Sequence, residues 1–590
     1  MIAVHITHES TEKMGGIGAV IEGLTTTADY HRTFSKTIII GPLFQTAGRA
    51  DKRLGRDGEV LYSSLDGIDN NNLWKIFKPI EQTYQVGVVY GKRRIHGQGN
   101  QSAEVEVILF DVFRYNHDRL NLFKRRLFEK FGICSDRFEH IWEYEQYVRL
   151  AEPAYDAINT LICENCPNEP VILFAHEYMG LPTALKAIMA EDSIKVSTAR
   201  CDIRTVFYAH EVAPIRRIVE DHPGHDVMFY NLLNKLEEAG KTLTEVFPEI
   251  HNFFKYPLVK SASYCDAILA VGDFIAREMK LLSKEYQNSL IEIVYNGLPN
   301  ITLNLAQRLE HRNRMKQYTK TLLGFEPDYI FTHVARPVLS KGIWRDFNVL
   351  HELDKPFSDC GKKGVYFLLG TLAGKRRNRD ILYMEKAYGW PVNHRIGYPD
   401  LCNGEETIGL ICEDFNRHHQ SIRTVMVNQF GWERRRCGLA MSEEMSMADI
   451  RYGTDVEFGL SVYEPFGISQ LEPLAAGAIC VVSSICGCVG LIKRCSPDEL
   501  AKNIIIADYV TAERRIKIEQ ILKIDKAERD AIEARQAKRI AKELLDKLPR
   551  NQADIESLLN SGSQIAQKIT WQNILRDYFL PAIEKLIKTG

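Results

Sequence analysis

The sequence has no uninterrupted apolar run of about 18 residues, so no membrane-spanning helix is expected. It also lacks an excess of charge of either sign. Lys and Arg total 75 against 77 Asp and Glu, which argues against bulk attraction to nucleic acid or an anionic membrane. The start, MIAVHITHES, has no basic segment followed by an apolar core, so no signal peptide is expected. No long segment is biased toward Gly, Pro or Ser, and no repeat of solenoid period is visible. Cysteine is present thirteen times, an odd number, scattered and often inside apolar runs such as VVSSICGCVG. A reduced, cytoplasmic interior fits that usage better than a disulfide framework. CENC at 163–166 has no second pair at zinc-ribbon spacing and reads as an incidental loop pair.

At 590 residues the chain is too long for one hydrophobic core, and two domains are expected. Short β-branched or apolar runs alternate with helical stretches: 2–7, 36–42, 170–177, 204–211, 267–272 and 291–297, then 328–336, 363–371, 405–412, 456–462 and 477–484. Buried parallel strands have this appearance, and the alternation predicts doubly wound α/β sheets. The polar, helix-prone stretch 305–324 separates the two series. Residues 1–300 are therefore expected to form one Rossmann-like domain, 301–326 a linker, 327–565 a second such domain, and 566–590 a closing amphipathic helix. Residues 45–105, rich in Gly, Asn and charge, look like an insertion or hairpin region, and the charged stretch from about 511 reads as solvated helix.

In such sheets ligands lie at the carboxyl ends of the strands. EKMGGIGAVIEGL (12–24) follows the first strand; Gly15 and Gly16 would let backbone approach a ligand at a helix start, with Lys13 as a mobile cation. The order G-G-I-G is not a dinucleotide fingerprint. FAHE (174–177) and YAHE (208–211) end two strands in the same Ala-His-Glu, making His176, Glu177 and His210 candidates for polar ligand contacts. No helical HExxH or Cys/His cluster accompanies them to suggest a metal. In ARPVLSKG (335–342), Arg336 and Lys341 lie five apart across a loop and can converge on one anion, as a diphosphate leaving group requires. SVYEPFGISQLEPLAAG (461–477) places Glu464 in a loop, Gly467, Ile468 and Ser469 at a helix start facing phosphate, and Glu472 inside that helix. The two carboxylates are then about 10 Å apart, far for a retaining glycosidase pair and suited to gripping two parts of one extended ligand. CGCVG (486–490) would add glycine amides nearby.

Taken in order, these segments resemble the retaining glycosyltransferases of the GT-B fold, most closely the glycogen and starch synthases. KMGGIGAV resembles that branch's K-x-G-G loop, RPVLSK its R-x(4)-K, and EPFGISQLE the E-x(7)-E of retaining GT-B enzymes. FAHE and YAHE resemble its histidine segments, VYNGLP (294–299), containing Asn296, the stretch before the interdomain linker, and ITWQNILRDYF (569–579) the helix returning to the N-terminal domain. The resemblance implies two Rossmann-like domains facing a central cleft. It implies that Arg336 and Lys341 hold the donor diphosphate, that Glu464 contacts the donor sugar, and that Glu472 binds the ribose. Lys13, Gly15 and Gly16 would close over the phosphates, and His210 would meet the sugar near the reacting face. It also implies retention by front-side attack without a metal or other cofactor. EPFG with Glu472 departs from bacterial glycogen synthases, which commonly carry EPCG and a Tyr at the second position, and 212–241 matches nothing in the branch.

The expected activity is transfer of a hexose, glucose first, from ADP- or UDP-glucose to an α-1,4-glucan. The alternatives are a related transferase acting on a small sugar, sugar phosphate or metabolite, as sucrose synthase does, and a non-catalytic glucan-binding scaffold. The expected partners are a nucleotide sugar and a carbohydrate acceptor, not nucleic acid.

Overall fold

The structure, a computed structural model, describes residues 1–11, 15–44, 48–55, 57–97, 101–163, 169–192, 202–496, 502–511 and 517–589. The chain divides into two compact units. One comprises Met1–Ile215, Leu236–Gly297 and Trp571–Gly590, the other Arg216–Lys235 and Leu298–Thr570.

The first unit holds a 10-stranded sheet. Its strands are β1 (Ile2–Ile6), β2 (Lys36–Pro42), β3 (Gly58–Ser63), β4 (Ile68–Asp69), β5 (Gly87–His96), β6 (Ser102–Asp111), β7 (Val171–His176), β8 (Ile203–Ala209), β9 (Ala267–Ala270) and β10 (Ile291–Ile293). They lie in the order β10-β9-β8-β7-β1-β2-β6-β5-β3-β4. From β10 through β6 the pairing is parallel; β5, β3 and β4 add an antiparallel edge. That edge is the hairpin region anticipated over 45–105. Every residue of β1 and β7 is buried, which is why both read as continuous apolar runs. Full burial of each Ile or Val there is worth about 1.5–3 kcal/mol of transfer free energy.

The second unit holds six parallel strands, β11 (Tyr329–Val334), β12 (Gly364–Leu369), β13 (Ile422–Val427), β14 (Val456–Gly459), β15 (Ile479–Ser483) and β16 (Ile504–Ala507). Their order, β13-β12-β11-β14-β15-β16, is the doubly wound Rossmann order, with its reversal between β11 and β14. In the first unit the corresponding reversal lies between β1 and β7. Each unit is thus built on the parallel α/β sheet expected.

Four expectations change. Residues 216–235, expected within the first domain, count with the second unit. Residues 405–412, read as a strand, begin the helix Glu405–His418. Gly409, Cys412 and Phe415 recur at threefold spacing on its buried side, and Glu405 and Glu406 sit at its positive end. The strand of that region is β13, ten residues later. The supposed linker carries the helix Leu305–Leu323, which belongs to the second unit: its Arg308 and Arg312 are buried on Asp455, which also accepts from the Ile330 amide. The end of the chain divides at 570, so residues 566–570 count with the second unit and only Trp571 onward with the first. Trp571 packs where a side chain on Gly23 or Gly297 would stand. Among the described residues no helix is long and apolar enough to cross a membrane.

Candidate functional site

In the second unit the reversal brings two loops together, the one after β11 and the one after β14. The carbonyl of Ser340 accepts from the amides of Val462 (2.8 Å) and Tyr463 (3.2 Å), stitching one loop to the other. Gly342 makes that approach possible. Its φ is 59°, and a Cβ there would stand 2.4 Å from the Leu460 carbonyl oxygen. Gly342→Ala is expected to cost about 2 kcal/mol through the left-handed backbone and the clash, read as a lowered midpoint in urea unfolding.

The stitched loops put Lys341 beside Glu464, Nζ to Oε2 at 2.5 Å. Ser461 Oγ (3.2 Å) and Gln470 Nε2 (2.9 Å) donate to the same oxygen. All three donors converge on Oε2, and none of the described groups donates to Oε1, which is left to accept from a ligand. Glu464 is buried, so this orientation is held by packing as well as by charge. Arg336 is exposed at the end of β11 and makes no side-chain bond to a described residue, leaving its guanidinium open to an anion.

Gly467 caps the helix Ile468–Leu471 with φ 90°, and a one-turn helix, Glu472–Ala476, continues it. The loop-then-helix arrangement of the 461–477 stretch is therefore as expected. Glu472 is half-exposed and pairs with buried Arg451, Nε to Oε2 at 3.1 Å. Arg451 also holds Glu457 at 3.2 Å and donates to the Ser469 carbonyl, locking the start of this helix. Gly487 does not offer its amide to a ligand: it donates to the Glu464 carbonyl at 3.1 Å, and a Cβ on it would stand 1.8 Å from the Pro465 carbonyl. That glycine therefore packs against the Glu464 loop. Arg451, Gln470 and Ser461 were not singled out from the sequence. The last two lay inside the quoted motif, but only the folded loop aims them at Glu464.

In the first unit, Lys13 lies outside the described residues, as does most of the CENC segment. Gly15 precedes the helix Gly16–Thr25. Its amide donates to Glu9 Oε2 at 2.7 Å, and the Gly18 amide donates to the same oxygen at 3.1 Å. The helix start expected to be open is thus capped by a carboxylate from the β1 loop. Gly16 faces open space, with nothing near where a Cβ would be.

The histidine segments meet each other rather than standing separately. His176 sits at the end of β7 and His210 just past β8, and their rings bond Nδ1 to Nε2 at 2.8 Å. His176 Nε2 reaches His5 Nδ1 of β1 at 2.8 Å, and His5 Nε2 reaches the Tyr30 hydroxyl at 2.9 Å. Both nitrogens of His176 are engaged inside the protein, so it supports His210 and has no free atom for a ligand. Burial holds His5 and His210 down at about 3, and burial with the neighbouring histidines holds His176 well below the usual range, so the rings stay neutral. Glu177 is also internal. At φ 57° its Oε1 accepts from the Glu211 amide at 2.6 Å, and burial together with the Glu211 charge pushes its carboxyl well above the usual range. It anchors the strand-end backbone. Asn296 is buried as well. His5 was missed in the sequence; its signal was a third histidine near the end of a central strand. Among the described residues no three His, Cys, Asp or Glu side chains are grouped to hold a metal ion.

No family model and no curated protein matches the sequence. Similar solved structures include a UDP-forming α,α-trehalose-phosphate synthase from Burkholderia xenovorans, at 12% identity and TM-score 0.49 with all of both chains covered. The catalytic domain of starch synthase IV from Arabidopsis thaliana, bound to ADP and acarbose, is similar at 13% identity and TM-score 0.48, covering 95% of this chain and 99% of that one. Sucrose-phosphate synthase from Thermosynechococcus elongatus is similar at 12% identity and TM-score 0.48, covering 100% and 99%. At these values the site must be read from its own residues.

Proposed function

We propose that this chain is a retaining hexosyltransferase using a nucleotide diphosphate sugar, with glucose as the sugar and an α-1,4-glucan as the acceptor. The observation that carries the reading is the Glu464 carboxylate, turned by Lys341, Ser461 and Gln470 so that one oxygen is saturated and the other open, at the switch point of a Rossmann sheet. A carboxylate fixed in that way accepts hydroxyl hydrogens of a sugar without being free to rotate. Exposed Arg336 and the Lys341 ammonium supply positive charge where a diphosphate would leave, in place of a metal ion. Glu472, oriented by Arg451, takes the ribose hydroxyls. In the first unit, part-exposed His210 is a polar group suited to a sugar. The synthase-like K-x-G-G loop and histidine segments favour the glucan acceptor.

The test is a screen of ADP- and UDP-glucose against glycogen, maltooligosaccharides and hexose phosphates, reading nucleotide diphosphate released. Release with glucan and not with hexose phosphate supports the full reading, and the reverse moves the acceptor to sugar phosphates. Absence of release with every pair removes the transferase reading. Arg336→Ala is expected to lower kcat/KM about 10²-fold, as loss of one preorganised charge on a leaving group does, with an unchanged unfolding midpoint because the side chain is exposed.

A further inference from the structure

Tyr30, His5, His176 and His210 form one hydrogen-bonded row, joined at 2.9, 2.8 and 2.8 Å. Each link needs one hydrogen between its two atoms, and each neutral imidazole carries one N–H. Only two arrangements satisfy every link. If the Tyr30 hydroxyl donates inward, each ring donates from Nδ1, and His210 is left with Nδ1–H pointing out of the row. If Tyr30 accepts, every ring is reversed, and His210 is left with a bare Nδ1.

Two features select the first arrangement. A phenol is a stronger hydrogen-bond acid than an imidazole N–H, and an imidazole nitrogen is a stronger base than a phenol oxygen, so phenol O–H to Nε2 is the favoured polarity. Thr37 Oγ1 donates to the Tyr30 oxygen at 3.4 Å, which leaves the tyrosyl hydrogen for His5. Reversing the row would leave the Thr37 hydrogen without its acceptor. The ring planes are held by stacking of His5 on Phe174, with centroids 4.8 Å apart, and of Tyr208 on His210 at 4.5 Å. The inner end does not lead to solvent: Tyr30 is fully buried, with Phe34 and Phe579 against it. The row therefore orients; it does not conduct protons out of the site.

We propose that Tyr30, His5 and His176 are positioning residues that lock His210 as its Nδ1–H tautomer, so that the ring offers a neutral N–H donor to an oxygen of a bound sugar. The sugar as occupant rests on the hexosyltransfer reading; the tautomer does not. An N–H donor without charge suits a hydroxyl or ring oxygen and gives no added attraction for free phosphate, which makes the contact selective for carbohydrate.

Neutron diffraction from crystals of the perdeuterated, unliganded full chain reads the tautomer directly. Deuterium is expected on Nδ1 of His5, His176 and His210, with the Tyr30 deuteron aimed at His5. Deuterium on Nε2 of His210, or on both of its nitrogens, would overturn the proposal. A second measurement uses Tyr30→Phe, which keeps the packed ring and removes the hydroxyl. The ¹⁵N shifts of the His210 ring, assigned by comparison with His210→Gln, are expected to move from a single Nδ1–H form to an average of both tautomers. An unchanged single form would show that Tyr30 does not set the direction, and the proposal fails. If Tyr30→Phe does not fold, the neutron result on the unaltered chain decides alone. Should glycosyl transfer be found, Tyr30→Phe is expected to lower kcat/KM about tenfold, one ordinary hydrogen bond's worth. The expected tautomer without any glycosyl transfer would remove the hexosyltransfer reading and leave the row standing.

Discussion

Glu464→Gln is expected to lower turnover by about 10²–10³-fold, the range seen when a single preorganised group at a reacting centre is removed. The amide keeps the size of the carboxyl but loses its charge, and one of its two ends becomes an N–H₂ donor. Facing Lys341, Ser461 and Gln470, which all donate, it turns its oxygen inward and its N–H₂ outward. The open position then offers a donor where the sugar hydroxyls need an acceptor. Stability should change little, because Lys341 keeps solvent access and can hydrate its ammonium when the partner is neutralised. The measurement is nucleotide diphosphate release at saturating donor, alongside urea unfolding. Near-normal turnover in Glu464→Gln would mean that this carboxylate does not face the reacting sugar. Lys341→Met with Glu464→Gln should be strongly non-additive, since each single change already breaks the shared pair.

Arg345→Leu is expected to destabilise the second unit by about 3–5 kcal/mol, the cost of leaving buried charges without their partner. Arg345 is almost fully buried and donates to Asp226 Oδ1 at 2.6 Å and Oδ2 at 2.9 Å, and to Glu533 at 2.8 Å. Its guanidinium lies 3.9 Å from the centroid of the Tyr509 ring. It also reaches the carbonyls of Leu460 (3.3 Å) and Ser461 (3.4 Å), at the start of the loop that carries Glu464, so its loss should loosen that loop as well. Burial holds the Asp226 carboxyl above its ordinary value of 3.8, and Arg345 works against that rise. A carboxyl that ionises higher in the folded than in the unfolded chain takes up a proton on folding between those two values. Stability therefore falls as pH rises through that window and stays reduced above it. Without Arg345 the window widens upward. The loss in Arg345→Leu, measured by urea unfolding, should be larger at pH 8 than at pH 5. An equal loss at both would place the cost in packing rather than in the unpaired acids.

Much of the fold was legible because parallel strands covered on both faces must be continuous apolar runs. β1, β2, β7, β8, β11, β12 and β15 announced themselves in that way. The misreading of 405–412 has a related cause. EETIGLIC is short and mixed, and a run of eight residues cannot be assigned to helix or strand by periodicity alone. The helix Leu305–Leu323 looked like a linker because its buried groups include Arg308 and Arg312, which read as solvent-facing until Asp455 is placed beneath them.

The sequence by itself determined the class of architecture and the chemical alphabet of the site: a cationic loop, a glycine-started helix and carboxylates at fixed spacing. Those are local properties, set by strand burial, turn geometry and helix starts within a few residues of each other. The tertiary structure decided which of those groups meet. It turned Glu464 on Lys341 through a loop contact between residues 122 positions apart, Ser340 and Val462. It set Glu9 on the helix start that had looked open, and it joined His5 and His176, from two strands, to His210, just past a third, in one row. Such pairings depend on strand order, and strand order is a property of the whole sheet that no local window contains.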